Sequence, residues 1–396
     1  MKLSSKNICI ITHQFPPYGK VAGRRWMLFT QQLLEQGANV KVVSTKGELK
    51  ESPWSAEGID VVYVKDNYPK AVKKPSNSLY GKIMFRFWIA FIKFKYKGYL
   101  FDKGLFWISN LKKFISNSQF ERDTIFILTG APFSLFTLGE FIKSKGFKYI
   151  LDYRDPYTWN NAYGFDEMPE SRRNYEIANE KIAAKGASKI TFPNEEMVKE
   201  YSGMYPEFKT KCEVLAHPLD KQSITRKWQI QVLNNEKIRL VYAGTLYDGC
   251  INEFKDLIIW IKENSNLCLT IYTHLDMIPN DLQRLLKSVD RISIRQSIPA
   301  TEVYTILNNY DAYLIIQSDE KKNYVTTKFV DLVYFEIPTV VHCSQGVLTD
   351  ILTPLPHMEV VNSFNSFNIA KWLQNIVFDK TKIASFLEKY AGKIET

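Results

Sequence analysis

The chain has 396 residues, of which 45% are apolar and 14% aromatic, and its formal net charge is +10. This length allows two or three domains with cores of their own, and the composition is that of an ordinary globular protein. The five scattered cysteines form no CxxC pair and the histidines show no metal-ligand spacing. We therefore expect reduced thiols, no metal site and no cofactor.

Apolar runs along the chain are short. The opening segment "MKLSSKNICIITHQF" lacks the long apolar core of a signal peptide. No run approaches the roughly 18–20 apolar residues of a membrane-spanning helix. Both observations predict a cytoplasmic protein.

The positive charge is concentrated in one segment, residues 70–113. It contains eleven Lys and Arg residues and a single acid, Asp102, so it accounts for the whole net charge of +10. The remainder of the chain is neutral. This segment therefore requires a local explanation.

Strand-like and helical patterns alternate along the first half of the chain. The helical pattern at 24–37 has apolar positions three and four apart and ends on Gly37. The strand-like runs lie at 8–12, 39–45, 60–64, 124–130, 149–154, 189–193 and 212–217. Alternation of this kind predicts an α/β fold with a mostly parallel sheet and helices on both faces.

A polar stretch at 220–238 resembles a linker, and the strand and helix pattern restarts after it. We predict an N-terminal Rossmann-like domain at 1–222 and a C-terminal one at 223–375. The last helical pattern, within 376–396, has no strand after it and is expected to pack back onto the N-terminal domain.

The first strand leads into two glycines, Gly19 and Gly23, and two arginines, Arg24 and Arg25, that open a helix. Backbone amides between a strand and a helix can bind phosphate, and guanidinium groups suit phosphate oxygens. A plain strand-to-helix turn explains the glycines equally well. Two positive charges at the positive end of a helix dipole also predict either a negative group nearby or arginine side chains that reach away from the helix axis.

The motif "LDYRDPYTWN" places Asp152, Arg154 and Asp155 at the carboxyl end of a strand, immediately before Pro156. Open α/β sheets bind ligands at this edge, so we favour a catalytic role for the three residues. The alternative is an Arg–Asp ion pair that fixes the loop. Earlier in the chain, Ser134 follows another strand and is expected to cap the next helix.

Two motifs in the second half are candidates for a ligand site. Gly244 and Thr245 end the strand in "LVYAGTLYDG", although a turn there requires no ligand. Lys328 and Asp331 lie three residues apart on one face of a predicted helix. They suit a phosphate and a ribose hydroxyl respectively, but a surface ion pair explains them as well.

In this order, "ICIITHQFPPYGKVAGRR", "LTGAPFS", "LDYRDPYTWN", "LVYAGTLY" and "TTKFVDLVYFEIPTVVH" resemble the retaining glycosyltransferases of the GT-B fold, of the family-4 type. The resemblance covers nearly the whole chain and implies two Rossmann-like domains facing across a cleft. It implies metal-independent transfer from a nucleotide-sugar bound by the C-terminal domain. Lys328 with Arg24 or Arg25 would address the diphosphate, Asp331 the ribose, and Asp152 or Asp155 the acceptor or sugar.

The sequence departs from the family pattern at two places. Asn323 stands where the family has the first of two acids, and Tyr247 and Asp248 follow the glycine strand where Arg and Lys are common. Two alternatives to a glycosyltransferase therefore stay open. One is a non-hydrolysing sugar-nucleotide epimerase, and the other is a catalytically silent partner subunit.

The basic segment at 70–113 interleaves its charges with aromatic residues, a pattern that suits a helix in an anionic membrane interface. We expect its membrane and acceptor contacts to include Arg86, Trp88, Lys93, Lys95 and Lys97. Core helices with solvated lysines are the main alternative. Single-stranded nucleic acid is not expected as a partner, since no nucleic-acid-binding motif accompanies the segment.

The resemblance and the basic segment together imply a glycosyltransferase on the inner membrane face that builds a cell-surface polysaccharide. Its substrates would be a nucleotide-sugar and a saccharide acceptor that is linked to a lipid.

Overall fold

The structure is a computed structural model and describes residues 1–18, 23–46, 54–73, 75–95, 102–224, 227–229, 237–246, 250–317 and 325–396. The chain divides into two compact units. Residues 1–216 and 393–396 form the first unit, and residues 217–392 form the second. The division falls before the predicted boundary at residue 222.

The first unit is a seven-stranded parallel sheet with helices between the strands. Its strands are β1 (Asn7–Ile11), β2 (Asn39–Ser44), β3 (Asp60–Tyr63), β4 (Ile125–Gly130), β5 (Lys148–Tyr153), β6 (Lys189–Phe192) and β7 (Cys212–Val214). Its helices are α1 (Arg24–Glu35), α2 (Lys70–Lys73), α3 (Leu79–Lys95), α4 (Ile108–Asn117), α5 (Leu138–Ser144), α6 (Glu170–Gly186) and α7 (Glu195–Met204). All six residues of β4 are buried, as expected for a central strand with both faces covered.

The second unit repeats this plan with a six-stranded parallel sheet. Its strands are β8 (Ile238–Ala243), β9 (Leu267–Thr273), β10 (Ile292–Gln296), β11 (Ala312–Ile316), β12 (Thr339–His342) and β13 (Met358–Val361). Its helices are α8 (Ile251–Glu263), α9 (Asn280–Lys287), α10 (Ala300–Leu307), α11 (Thr327–Phe335), α12 (Val347–Leu352), α13 (Ile369–Gln374) and α14 (Lys380–Tyr390). Successive residues Leu240 and Val241 of β8 belong to different apolar clusters, because side chains alternate between the two faces of a sheet.

Both sheets reverse their strand order at the first strand. The orders are β3-β2-β1-β4-β5-β6-β7 and β10-β9-β8-β11-β12-β13. In sheets of this type, ligands bind outside the carboxyl ends of the strands at the point of reversal. That point lies between β1 and β4 in the first unit and between β8 and β11 in the second.

The C-terminal helix is where the prediction was wrong. Helix α14 packs on α11 within the second unit, and its Ile383 and Phe386 are buried in the same apolar cluster as Phe335. Only the tail after the helix joins the first unit, where Leu3 N donates to Glu395 O at 2.7 Å and Glu395 N donates to Met1 O at 2.9 Å. The apolar face of α14 therefore completes the core of the C-terminal unit.

Candidate functional site

In the second unit, Lys328 and Gly244 lie together at the point of reversal. Lys328 is exposed at the start of α11, and its Nζ donates to the carbonyl of Ala243, the last residue of β8, at 2.8 Å. The same Nζ lies 5.7 Å from the centroid of the Tyr242 ring. The ammonium group therefore lies across the carboxyl end of the central strand.

Gly244 permits this position of the lysine. A Cβ atom at residue 244 would lie 2.8 Å from Lys328 Nζ, and the Gly244 amide is anchored by a 3.0 Å hydrogen bond to Tyr272 O. The next residue, Thr245, is exposed, and its carbonyl accepts a 3.1 Å hydrogen bond from the Tyr242 hydroxyl. Two of the predicted donor residues thus meet in space, although 84 positions separate them in the sequence.

The beginning of α11 adds a second source of positive potential. The first turn of the helix contains no acidic residue, and the side chain of its N-cap residue, Thr326, makes no capping hydrogen bond. Amide groups at such a terminus attract anions, and the aligned peptide dipoles reinforce the attraction. With the ammonium of Lys328 beside it, this edge of the sheet suits a phosphate or diphosphate.

Asp331 faces the interior of the same unit. Its side chain is buried, and it accepts hydrogen bonds from the Tyr304 hydroxyl at 2.7 Å and from the Asp220 amide at 3.5 Å. These contacts tie α11 to α10 and to the chain at residue 220. The predicted contact of Asp331 with a ribose stays a prediction.

In the first unit, Arg25 and Asp152 form a buried pair. Arg25 donates to the Asp152 carboxylate at 3.0 and 3.2 Å and to the carbonyls of Leu215 and Ala216 at 2.6 and 3.1 Å. Asp152 is fully buried and also accepts from Trp26 Nε1 at 2.7 Å and from Thr191 Oγ1 at 2.8 Å. Asp152 is therefore the negative group near the start of α1. The predicted roles of Arg25 and Asp152 toward diphosphate and acceptor stay predictions.

Arg154 and Asp155 remain accessible at the carboxyl end of β5. Arg154 Nε and Nη2 donate to Asp155 Oδ2 at 2.9 and 2.8 Å, and the Tyr163 hydroxyl donates to the same oxygen at 3.0 Å. About a third of each charged side chain is exposed, 31% for Arg154 and 37% for Asp155. The loop-fixing ion pair is present, and the pair is also open to a ligand.

Gly23 and Arg24, the other described residues of the predicted glycine loop, pack against neighbouring parts of the first unit. A Cβ on Gly23 would lie 3.2 Å from Gln14 O and from Phe15 Cα, so the glycine allows the start of α1 to approach the loop that follows β1. Arg24 is buried, with its guanidinium carbon 5.9 Å from the Trp54 ring centroid. Five other residues named from the sequence lie outside the described residues: Gly19, Lys97, Tyr247, Asp248 and Asn323.

Two buried acids were missed by the sequence analysis. Asp102 accepts from Ser134 N at 2.7 Å, Ser134 Oγ at 2.5 Å and Gly104 N at 2.9 Å, and its burial raises the pKa of its carboxyl group. The predicted capping role of Ser134 was wrong, since its hydroxyl donates to Asp102. The signal for Asp102 was its position as the single acid of the basic segment.

The second missed acid, Glu180 on α6, accepts from the hydroxyls of Tyr153, Thr158 and Tyr205. Burial raises the pKa of Glu180 to about 7. Tyr153 lies on β5, Thr158 on the loop that follows Asp155, and Tyr205 directly after α7. Glu180 therefore ties that loop to β5 and to the end of α7. Spacing was the available signal, because Arg172, Glu176 and Glu180 recur every four residues on one buried helical face.

The predicted membrane contacts divide between the two sides of α3. Arg86, Lys93 and Lys95 are exposed, whereas Trp88 turns toward the first unit and lies 6.2 Å from the Phe106 ring. Among the described residues, no helix is long and apolar enough to cross a membrane. In that same part of the chain, no group of three or more His, Cys, Asp or Glu residues could hold a metal ion.

Comparison with known proteins identifies the fold. No family model matches the chain, and no curated protein matches it. Among solved structures, an E. coli trehalose-6-phosphate structure bound with UDP-2-fluoro glucose aligns with 97% of this chain and 95% of its own, at a TM-score of 0.60 and 12% identity. The apo form of the lipopolysaccharide outer core galactosyltransferase WaaB aligns with 98% of this chain and 95% of its own, at a TM-score of 0.55 and 13% identity.

A third structure carries a different assignment. A Listeria monocytogenes protein provisionally assigned as a UDP-N-acetylglucosamine 2-epimerase aligns with 99% of this chain and 93% of its own, at a TM-score of 0.52 and 12% identity. These similarities over nearly whole chains show that the protein has the GT-B fold. At such identities they show the fold alone, and the activity must be argued from the site.

Proposed function

We propose that this protein is a glycosyltransferase that uses a nucleotide-sugar donor. The observation that carries the proposal is the position of Lys328 across the end of β8, beside Gly244 and the N-terminus of α11. In this proposal the donor diphosphate binds at that edge of the C-terminal unit.

The physical argument concerns charge in the transition state. When the bond between sugar and diphosphate breaks, the sugar becomes oxocarbenium-like and the leaving diphosphate gains negative charge. A fixed ammonium group and helix amides stabilise that charge without reorganising, which lowers the barrier to transfer. Lys328 supplies the cation in this scheme, so we propose that transfer requires no metal ion. Retention of configuration at the anomeric carbon is proposed from the resemblance to family-4 enzymes.

We extend the proposal to the acceptor and the cellular role. The acceptor is a saccharide, linked to a lipid, and the product is a cell-surface polysaccharide made at the inner membrane face. Support comes from the basic and aromatic segment at 70–113, and from the likeness to WaaB, which acts on the lipopolysaccharide outer core. The exposed pair Arg154 and Asp155 is our candidate for contacts with the acceptor or the transferred sugar.

The test is release of nucleoside diphosphate. Purified protein is incubated with a bacterial lipid extract and, in separate reactions, with UDP-, GDP-, dTDP- or CDP-sugars. The nucleoside diphosphate released in each reaction is quantified. We expect release with one nucleotide class only. Lys328→Ala should lower kcat/KM about a hundredfold, as loss of one preorganised donor does. Lys371→Ala, at an exposed lysine on α13, is the matched control and should act as wild type. Equal rates for both variants would exclude the proposed role of Lys328.

The epimerase alternative is favoured by one observation, the full-length likeness to the Listeria protein. An epimerase converts the nucleotide-sugar alone and needs no acceptor. NMR of the reaction mixture separates the two functions. An epimeric nucleotide-sugar formed without lipid extract would establish the alternative, whereas a new glycosidic linkage with the donor's anomeric configuration would establish the retaining transferase.

A further inference from the structure

Helix α3 presents an apolar side that the described residues leave uncovered. Of its 17 residues, only Ile92 is buried. Phe94 is 90% exposed and Ile83 is 56% exposed, and Leu79, Tyr80 and Phe87 are also more than half exposed. Exposure of so many large apolar side chains on one helix marks an interaction surface.

The exposed side chains form a continuous stripe. At 100° per residue, Leu79, Tyr80, Ile83, Phe87, Ala90 and Phe94 fall within an arc of about 100°. We call these six residues the interfacial face. Lys82, Arg86 and Lys93 follow one border of the stripe, and Lys95 lies beyond the other. The opposite side of the helix holds Trp88 and the buried Ile92, which face the first unit.

Charge indicates what covers the interfacial face. Residues 79–95 contain four basic residues and no acid. A second copy of the chain would bring two such basic borders together, and like charges at close range repel. An anionic bilayer offers apolar depth for the stripe and negative headgroups for its borders.

We propose that the interfacial face of α3 docks this protein onto an anionic lipid bilayer, with the helix lying in the plane of the membrane surface. The aromatic and aliphatic side chains enter the boundary between headgroups and acyl chains. Lys82, Arg86 and Lys93 contact lipid phosphates. The inference is independent of the donor chemistry, because the surface is complete without Lys328 or any nucleotide.

The experiment is flotation of the full-length protein with vesicles, without nucleotide. Vesicles of phosphatidylcholine alone are compared with vesicles containing phosphatidylglycerol, at low and high salt. We expect binding to the anionic vesicles only, weakened by salt because screening reduces the attraction. Phe87→Ser with Phe94→Ser should weaken binding about a hundredfold, since two large apolar side chains lose their burial. Lys82→Gln, Arg86→Gln and Lys93→Gln together should weaken it about fivefold for each charge removed.

Matched controls lie elsewhere on the first unit. Ile182→Ser with Met204→Ser changes two exposed apolar residues, and Lys143→Gln with Lys145→Gln and Lys148→Gln removes the same number of charges. Both controls should float as wild type, and all variants should keep the wild-type thermal midpoint because the changed side chains are exposed. Three results would overturn the proposal: no flotation of the wild type, equal flotation with neutral vesicles, or interfacial variants that float like the controls. A dimer broken by Phe87→Ser and Phe94→Ser, without flotation, would overturn it in favour of self-association.

Discussion

Arg25 occupies a position that is unfavourable for its charge, at the first turn of α1, where the helix dipole is also positive. The structure compensates locally. Asp152 accepts two hydrogen bonds from the guanidinium, and two backbone carbonyls accept others. Because α1 and β5 are distant in sequence, this pair ties the first helix to the middle of the sheet. The charge therefore serves the fold of the first unit.

We predict that Asp152→Ala strongly destabilises the first unit. The substitution leaves a buried guanidinium without its counter-charge, which costs about 3–5 kcal/mol of unfolding free energy. Urea denaturation measures the change. Asp155→Ala is the control, because it breaks a partly exposed ion pair worth about 1 kcal/mol or less. Similar losses in the two variants would contradict the structural role given to Asp152.

A pH prediction follows from Glu180. Burial raises the pKa of this carboxyl group from 4.5 to about 7, so between these values the folded protein binds a proton that the unfolded chain does not. Unfolding free energy should therefore fall as pH rises through this window, by at most about 1.4 kcal/mol per pH unit.

Glu180→Gln should remove that slope. His13 and His357 give the opposite slope in wild type and variant alike, since burial lowers the pKa of each to about 4. The measurement is therefore the difference in unfolding free energy between wild type and Glu180→Gln, obtained from urea denaturation at several pH values from 4.5 to 7.5. A difference that does not change with pH would show that Glu180 is already ionised across the window.

At the scale of elements, the meeting of β8 with α11 defines the proposed donor site. In Gly244→Ala, the new methyl group would lie 2.8 Å from the place that Lys328 Nζ occupies in the wild-type protein. The end of a lysine side chain is flexible, so we expect it to move and the fold to persist. Nucleoside diphosphate affinity should fall about tenfold through loss of a charge-assisted hydrogen bond.

Isothermal calorimetry measures that change, with Gly203→Ala on α7 as the control. A Cβ at residue 203 meets no atom within 4 Å, so this variant should bind nucleotide normally. Wild-type affinity in Gly244→Ala would show that the position of Lys328 does not matter for binding.

Elements and their order were predictable from sequence because strands and helices differ in apolar periodicity. The pattern at 24–37 predicted α1, and the restart after residue 238 predicted a second sheet. The packing partner of a face was not predictable. Residues 79–95 carry apolar side chains all round, so periodicity alone could not place Trp88 inward and Phe94 outward. The packing of α14 on α11 was not predicted, for the same reason.

The candidate site was predictable in part. The resemblance to family-4 glycosyltransferases made Gly244 and Lys328 candidates although they are far apart in sequence, and parallel strands bring their carboxyl ends to one edge. The direction of Asp331 depends on Tyr304 and on the chain at residue 220, which no local pattern reveals. The partner of Arg25 was likewise a long-range contact. The sequence therefore indicated the carboxyl-end edge of the sheet as the candidate site, whereas the structure was needed to see which side chains face that edge.

Across the whole molecule, the same strand order appears twice, and each sheet has one point of reversal. The point in the second unit carries the exposed ammonium of Lys328. Near the point of reversal in the first unit, the Ser134 hydroxyl donates a hydrogen bond to Asp102. Arg154 and Asp155 lie at the carboxyl end of the neighbouring strand, β5. We therefore propose that the donor binds at the C-terminal unit, where Lys328 lies, and the acceptor at the N-terminal one, where Arg154 and Asp155 are partly exposed.

The most direct test of this account is calorimetric titration of the full-length protein with UDP, GDP, dTDP and CDP, first without metal and then with Mg²⁺. We predict binding of one nucleotide class without metal, and about thirtyfold weaker binding to Lys328→Ala, as expected for loss of a charge-assisted contact. Lys371→Ala should bind as wild type. Absence of binding to all four nucleotides would contradict the donor site and favour a silent GT-B subunit, and undiminished binding to Lys328→Ala would place the diphosphate elsewhere.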